Sequence, residues 1–482
     1  MDSLAMERGI SGRPDIAVPR VLVIIVTWNK RQFVLNLLDS FADLDYPKEA
    51  LDILVVDNAS NDDTVDAIRE RYPQIRLICN QENLGGTGGF NTGLAWAFEQ
   101  PADNYDYLWL LDNDVELHSR TLVELVNLLE STADAAVAGS TMMQLDYPWR
   151  INEMGAFVDH HSGTLFLHRH FEEIPSWKGL EVAQLRHKDV DLSKHLMHCQ
   201  PSMDVSYVAA ASLLIRADVA RKSGLWLDFF IHFDDVEWCL RIAKQTGKRV
   251  LVSARSLIWH LSAAAKVPTW VLYYDARNIL YLVKAHGSGL ADICQTKRHL
   301  LKKALYYALI GHSELAELQL DAVDDFQAGR MGKKAISLKT IYKPNSQIPA
   351  IFEDPSIKRV LVPWTINLQA TNIQATLISL KSKRPDIQLY YTTMPHGAPL
   401  WQSPHSEFVH LPSNRFRRLL YYARMRGSFD LILQSDYHKV IPLSWLGARI
   451  LFVNDEGFFL RQPLHLAEVI RSLRRVISLW RD

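Results

Sequence analysis

Cysteine is scarce and unpatterned in this chain of 482 residues. Cys79, Cys199, Cys239 and Cys294 are widely scattered and form no CxxC pair. That speaks against a zinc site or a disulfide framework and for a reducing, cytoplasmic compartment. Long apolar runs are lacking too. The opening MDSLAMERGISGRPDIAVPR has no apolar core of a signal peptide, and no stretch reaches transmembrane length. Work at a membrane would have to be done from its surface. Excess charge of one sign is also missing: the net charge of −1 argues against a general nucleic-acid binder. No short-period repeat is present.

What is there is ordinary for a soluble protein of two or three domains, with 48% hydrophobic and 22% charged residues. The near-neutral total hides an asymmetry, because after Met331 basic residues outnumber acidic ones roughly two to one.

Strand-like and helix-like stretches alternate from the start. Val21–Thr27 is a β-branched run suited to a strand buried on both faces. Lys30–Phe41 has helical periodicity, with Phe33, Leu37, Leu38 and Phe41 on one side. Leu51–Val56, Ile75–Cys79 and Tyr107–Leu111 read as further strands, and Asp62–Arg71 and Thr87–Phe98 as helices. This is a parallel βαβ pattern. Strands are expected at Ala135–Gly139, Val205–Ile215 and Val250–Ala254, the last leading to Leu257–His260. The stretch between His160 and His198 reads as an irregular excursion, with its histidines on the surface. A helix should begin near Asp235. The expected organisation is an N-terminal extension (1–20), a larger α/β domain (21–284), a helical segment and linker (285–344) and a second, smaller α/β domain (345–482). The chain ends abruptly soon after a basic helix at Leu464–Arg481, as half of a larger two-part fold or a truncated domain would.

Three features carry chemistry. The strand Tyr107–Leu111 runs into Asp112 and Asp114, an Asp-x-Asp pair of hard oxygen ligands at a sheet rim. Extended backbone would aim both carboxylates the same way, toward one Mg²⁺ or Mn²⁺, with Asn113 facing opposite. Asn80–Gly93 is glycine-rich; Gly85, Gly86, Gly88 and Gly89 would let backbone approach a ligand, and the following helix start favours anions. Asp234, Asp235 and Glu237 cluster at a helix start. Helix-dipole preference accounts for one or two such acids.

The pieces VTWN (Val26–Asn29), VVDNASND (Val55–Asp62), NQENLGGTGGFNTG (Asn80–Gly93), LLDNDVEL (Leu110–Leu117), FDDVEWCLR (Phe233–Arg241), WH (Trp259–His260) and YYDARN (Tyr273–Asn278) occur in one order. Together they make Val21 to about Met331 resemble family 2 glycosyltransferases of the GT-A fold. Within that group the chain looks most like bacterial galactofuranosyltransferases, with rhamnosyltransferases as close neighbours.

The resemblance implies a set of roles. Donor contacts fall to Thr27, Asn29, Asp57, Asn58, Asn83, Gly88, Gly89 and Asn113, with Asp57 accepting from N3–H of uracil. His260 joins Asp112 and Asp114 in the metal shell, a carboxylate–imidazole set that suits Mn²⁺. Asp235 is the base that takes the acceptor hydroxyl proton in an inverting transfer. Asp234, Glu237 and Trp238 bind the acceptor, and Arg277 assists the phosphate or the acceptor, or is a structural arginine. The expected donor is UDP-galactofuranose and the expected acceptor a growing bacterial surface glycan, free or polyprenyl-linked. dTDP-rhamnose is the alternative donor, and a non-catalytic nucleotide-sugar-binding scaffold the alternative of another class. The basic segments Arg415–Gly427 and Glu468–Arg481 suit either contact with the anionic cytoplasmic face of a membrane or a solvated basic surface.

Overall fold

The structure is a computed structural model that describes residues 18–261, 270–309, 312–338, 350–362, 373–393, 407–412, 414, 417, 420–421, 424–425, 427–435, 449–454, 457–460 and 466–481. The chain forms two compact units, Met1–Leu261 with Met331–Lys333, and Ser262–Arg330 with Lys334–Asp482. The helix that follows Trp270 groups with the second unit, whereas the sequence placed the first boundary at 284.

The strands of the first unit are β1 (Val21–Thr27), β2 (Leu51–Asp57), β3 (Arg76–Cys79), β4 (Tyr107–Asp112), β5 (Val115–Leu117), β6 (Ala135–Gln144), β7 (Ile151–Glu153), β8 (Ala156–Asp159), β9 (Thr164–Leu167), β10 (Ser202–Asp204), β11 (Ser212–Arg216) and β12 (Arg249–His260). Its helices are α1 (Arg31–Ser40), α2 (Thr64–Arg71), α3 (Gly85–Glu99), α4 (Thr121–Glu130), α5 (Val182–Leu185), α6 (Ala217–Ser223) and α7 (Asp234–Thr246). The main sheet runs β10-β12-β6-β11-β4-β1-β2-β3, with β5 paired to β12 and β7 to β6. Strands β1 to β4 are mutually parallel, as are β6 and β12, while β11 joins the two sets antiparallel. The expected mixed, mostly parallel α/β sheet is what forms. Every residue of β1 is buried, as its unbroken apolar run requires.

Register decides where the site lies. Thr27 pairs with Asp57, and Val26 with Asp112, so the C-terminal ends of β1, β2 and β4 are level. From β1 the chain proceeds to β2 and β3 on one side, then crosses to β4 on the other. That makes the β1/β4 boundary a topological switch point, where open α/β sheets leave a crevice. Strand β12 is longer than its two expected pieces. It is one element with an irregularity between Ser253 and Leu257, and it carries His260 to the same end of the sheet. The expected strand Val205–Ile215 shortens to β11.

The second unit opens with α8 (Val271–His286), α9 (Leu290–Leu309) and α10 (Ser313–Gln327). It continues through β13 (Arg359–Val362), α11 (Ile373–Lys383), β14 (Gln388–Thr393), β15 (Glu407–His410), β16 (Leu431–Ser435), β17 (Arg449–Asn454), β18 (Gly457–Leu460) and α12 (Leu466–Arg481). Its sheet order is β15-β14-β13-β16-β17-β18, parallel except for the last pair. The expected second α/β layer is present, around a core that includes Val360, Leu380, Ile387, Leu431 and Leu451. Most of the basic segment Arg415–Gly427 lies outside the described residues. No helix among the described residues is long and apolar enough to cross a membrane.

Candidate active site

Asp112 ends β4, and residues 113–114 form a turn rather than more strand. The expected reason for convergence, period-two alternation, therefore does not operate. Convergence comes from pairing between strands. His260 lies opposite Val115 in the β12–β5 ladder, which sets its ring beside Asp114. Nε2 of His260 is 3.0 Å from Asp114 Oδ1 and 3.7 Å from Asp112 Oδ2. One ligand atom from each residue lies within 4.8 Å of the others. Ligands on one octahedral ion with bonds of about 2.1 Å are separated by roughly 3 Å when adjacent and 4 Å when opposite. The three groups thus fit one small divalent cation.

The other rim residues brace one another. Asn113 Nδ2 donates to Thr27 Oγ1 at 2.9 Å. Asn29, in a left-handed conformation (φ 51°), donates its N–H to Ser60 Oγ and accepts at Oδ1 from Asn61 N–H. Asn58 is buried, donating to the Gly85 carbonyl at 2.7 Å and accepting from Asn80 at 2.8 Å. Asn83 Oδ1 accepts from Gly85 N–H at 2.8 Å. Asp57 is buried; its Oδ2 accepts from Ser60 N–H, and its Oδ1 has no hydrogen-bond partner among the described residues. An orphaned buried carboxylate oxygen is rare and costly. Trp28, which motif reading passed over, is exposed at this rim between Thr27 and Asn29.

The glycines differ from expectation. Helix α3 begins at Gly85, so they lie in its first two turns rather than in a preceding loop. A Cβ on Gly89 would sit 2.4 Å from Val26 Cγ1, and one on Gly93 would sit 2.3 Å from Ile24 Cγ2. These two let α3 press onto β1. Gly85, at φ +74°, abuts the Phe230 carbonyl, whereas Gly86 faces open space.

The segment before α7 is strained. Phe230, His232 and Phe233 all have positive φ, at 68°, 64° and 66°. Each such residue costs about 1–3 kcal/mol, and such outliers gather at functional sites. The segment is stitched to α3: Thr87 N–H donates to the Phe230 carbonyl at 3.2 Å and Thr87 Oγ1 to Asp234 Oδ2 at 2.6 Å. Asp235 then accepts from Ala210 N–H at 3.1 Å and Val236 N–H at 2.8 Å. Burial pushes the Asp235 carboxyl up, the Asp234 charge adds to this, and Asp112 is near enough to push the same way.

Of the three expected acceptor contacts, the burial of Trp238 speaks against one, and Glu237 and Asp234 make contacts within the protein. Trp238 is 0% exposed, donates its indole N–H to the Gly224 carbonyl at 3.0 Å and packs against Trp226, so it has no face for a sugar. Glu237 is buried in a paired contact with Arg241 at 3.0 and 3.1 Å. Asp234 is the brace to Thr87. Arg277 lies in α8 of the second unit, buried against the rings of Tyr273 and Tyr274 and donating to Asn278. Glu153, which no motif marks, is the addition. It ends β7, is buried and hydrogen-bonded to Tyr207, and its carboxyl is raised to about 8 by burial first and by the Asp235 charge second.

Comparison with known proteins finds likenesses among glycosyltransferases. Residues 22–181 match the family described as Glycosyl transferase family 2. Galactofuranosyltransferase GlfT2 of Mycobacterium tuberculosis is 26% identical over 263 residues, 52% of this chain and 38% of that protein. GlfT2 of Mycolicibacterium smegmatis is 23% identical over 396 residues, 78% of this chain and 56% of that protein. Glycosyltransferase AglE of Haloferax volcanii is 29% identical over 46% of this chain and 61% of its own length. The chain thus spans about two fifths to just over half of the two GlfT2 proteins. Among solved structures, the mannosyltransferase PcManGT from Pyrobaculum calidifontis with GDP-Man and Mn²⁺ is similar at a TM-score of 0.37, with 16% identity and coverage of 68% of this chain and 80% of that one.

Proposed function

Residues 22–181 are a glycosyl transferase family 2 domain, and from that premise we propose a metal-dependent, inverting transfer of galactofuranose from UDP-galactofuranose to a bacterial surface glycan. The observation that carries the reading is the convergence of Asp112, Asp114 and His260 at the rim that also holds Asp57. These three residues would hold Mn²⁺ or Mg²⁺, which when bound supplies charge stabilisation to a nucleoside diphosphate leaving group.

The chain's own residues do the rest. The orphaned Oδ1 of Asp57 accepts from N3–H of the donor base, which removes the cost of leaving it unpaired. The open side of Gly86 at the start of α3 receives the diphosphate, where the helix N-terminus favours negative charge. Asp235 takes the proton of the acceptor hydroxyl as the new glycosidic bond forms. Two backbone N–H groups fix its orientation, and burial keeps its proton affinity high enough to accept one. The donor sugar follows from the likeness to the galactofuranosyltransferases, and a cytoplasmic site of action, at the inner face of the membrane, from the nucleotide-linked donor. A scaffold has no use for an oriented base.

The test is release of the nucleoside diphosphate, UDP or dTDP according to the donor, by the purified chain with Mn²⁺ and a glycan acceptor. Turnover is expected with UDP-galactofuranose, and D235N should lower it about 10²–10⁴-fold. Asp235 must be ionised to act, and its affinity for the proton is raised. The acidic limb of kcat/KM should therefore lie above the ordinary carboxylate range. Turnover with dTDP-rhamnose alone reassigns the donor, and turnover that survives D235N removes the base.

A further inference from the structure

Helix α12 is amphipathic, but its apolar stripe is turned outward. It packs on α9 and α10 within the second unit. Polar contacts fix its rotation. Ser313 Oγ donates to Glu468 at 2.6 Å, Ser472 Oγ donates to Glu317 at 3.1 Å, and Arg475 pairs with Glu317, Asp321 and Asp324 of α10. Glu468, Ser472, Arg475 and Leu479 follow i, i+4, i+7, i+11 spacing, so one face is committed inward. The opposite side then presents Ile470, Leu473, Ile477 and Trp480, each at least 40% exposed. Their spacing of i, i+3, i+7, i+10 makes a continuous stripe about 15 Å long at 1.5 Å per residue. Exposed Arg471 and Arg474 flank it on α12. From α9, Arg298 lies 6.0 Å over the Trp480 ring, and exposed Lys302 lies one turn further along that helix.

We propose that this face of α12, with the adjoining basic residues of α9, is the surface by which the protein docks on an anionic lipid leaflet. The apolar residues and Trp480 would sit at the headgroup boundary, and the four cations against lipid phosphates. Charge decides the occupant. No exposed residue of α12 is acidic, so a second copy meeting this face across a twofold axis would set Arg471 and Arg474 against their own kind. Such docking would bring the enzyme to a polyprenyl-linked acceptor, but it requires neither a particular donor nor turnover.

The test is flotation of the full chain with vesicles rich in phosphatidylglycerol and with pure phosphatidylcholine vesicles. Binding is expected to the anionic vesicles alone, weakening with salt. R471Q/R474Q should lower the partition roughly 25-fold, at about five-fold per charge. L473S/I477S should abolish it, with nucleotide release in solution unchanged for both variants. Equal binding to both vesicles, no binding, or full binding by R471Q/R474Q would overturn the proposal. So would a concentration-dependent dimer that L473S/I477S dissolves, which would assign the face to a second copy.

Discussion

Glu153 and Asp235 are neighbouring buried carboxyls, and the Asp235 charge adds to burial in raising the proton affinity of Glu153. Their tasks differ. Asp235 must lose its proton to act, whereas Glu153, held at about 8, keeps its proton at neutral pH and limits the charge buried beside the base. The consequence for stability has a definite sign. The unfolded glutamate titrates near 4.5 and the folded one near 8, so the stabilising contribution is whole below the lower value and is lost as pH rises toward the upper. E153Q is neutral throughout and escapes that loss. Its unfolding free energy should match the wild type near pH 5 and exceed it at pH 8 by on the order of 2–4 kcal/mol. Denaturant titrations at the two pH values measure this, and a constant offset would mean that Glu153 is ionised in the folded protein.

Nothing near Glu153 in the sequence forms a pattern, which is why reading the chain alone passed it over. Asp112 and Asp114 were legible because two acids end an apolar run. His260 was legible only through family likeness, because its partnership with Asp114 depends on the β12–β5 register. The acids at the start of α7 were read as a single site. Successive helix positions turn by 100°, however, so Glu237 faces almost opposite Asp235 and is buried against Arg241.

At the scale of elements, α3 shows how the same glycines support two readings. The sequence suggests backbone laid open to a ligand. The structure gives Gly89 and Gly93 to helix-on-sheet packing and leaves only Gly86 facing open space. The two roles separate by mutation. G89A and G93A force a methyl to within 2.4 Å of β1 side chains and should cost about 1–3 kcal/mol of stability. G86A meets nothing within 4 Å and should gain up to about 1 kcal/mol from helix propensity. If the diphosphate uses that space, G86A also raises KM for the donor. Thermal melts with donor saturation curves give both readouts, and an unchanged KM would move the diphosphate elsewhere. The same contrast explains why α3 starts two residues earlier than its periodicity suggests: glycines carry no apolar signal, yet they form the helix's tightest contact.

At the scale of the whole molecule, every group assigned to the reaction lies in the first unit, between Thr27 and His260. The second unit holds the basic surplus and part of its acidic counterweight on α10. Ligand binding should therefore leave an uneven imprint. A ligand at a hundred times its dissociation constant stabilises the bound state by about 2.7 kcal/mol, which slows exchange about a hundred-fold for amides exposed only by openings that destroy the site. With Mn²⁺ and UDP, hydrogen exchange should slow in β4, β5, α7 and the end of β12, and stay unchanged in the β13–β16 strands. H260A should erase much of the effect, because it removes the ligand that the β12–β5 ladder brings to the two aspartates. Protection centred on the second sheet instead would place the nucleotide there and leave the three-ligand cluster as a structural metal site.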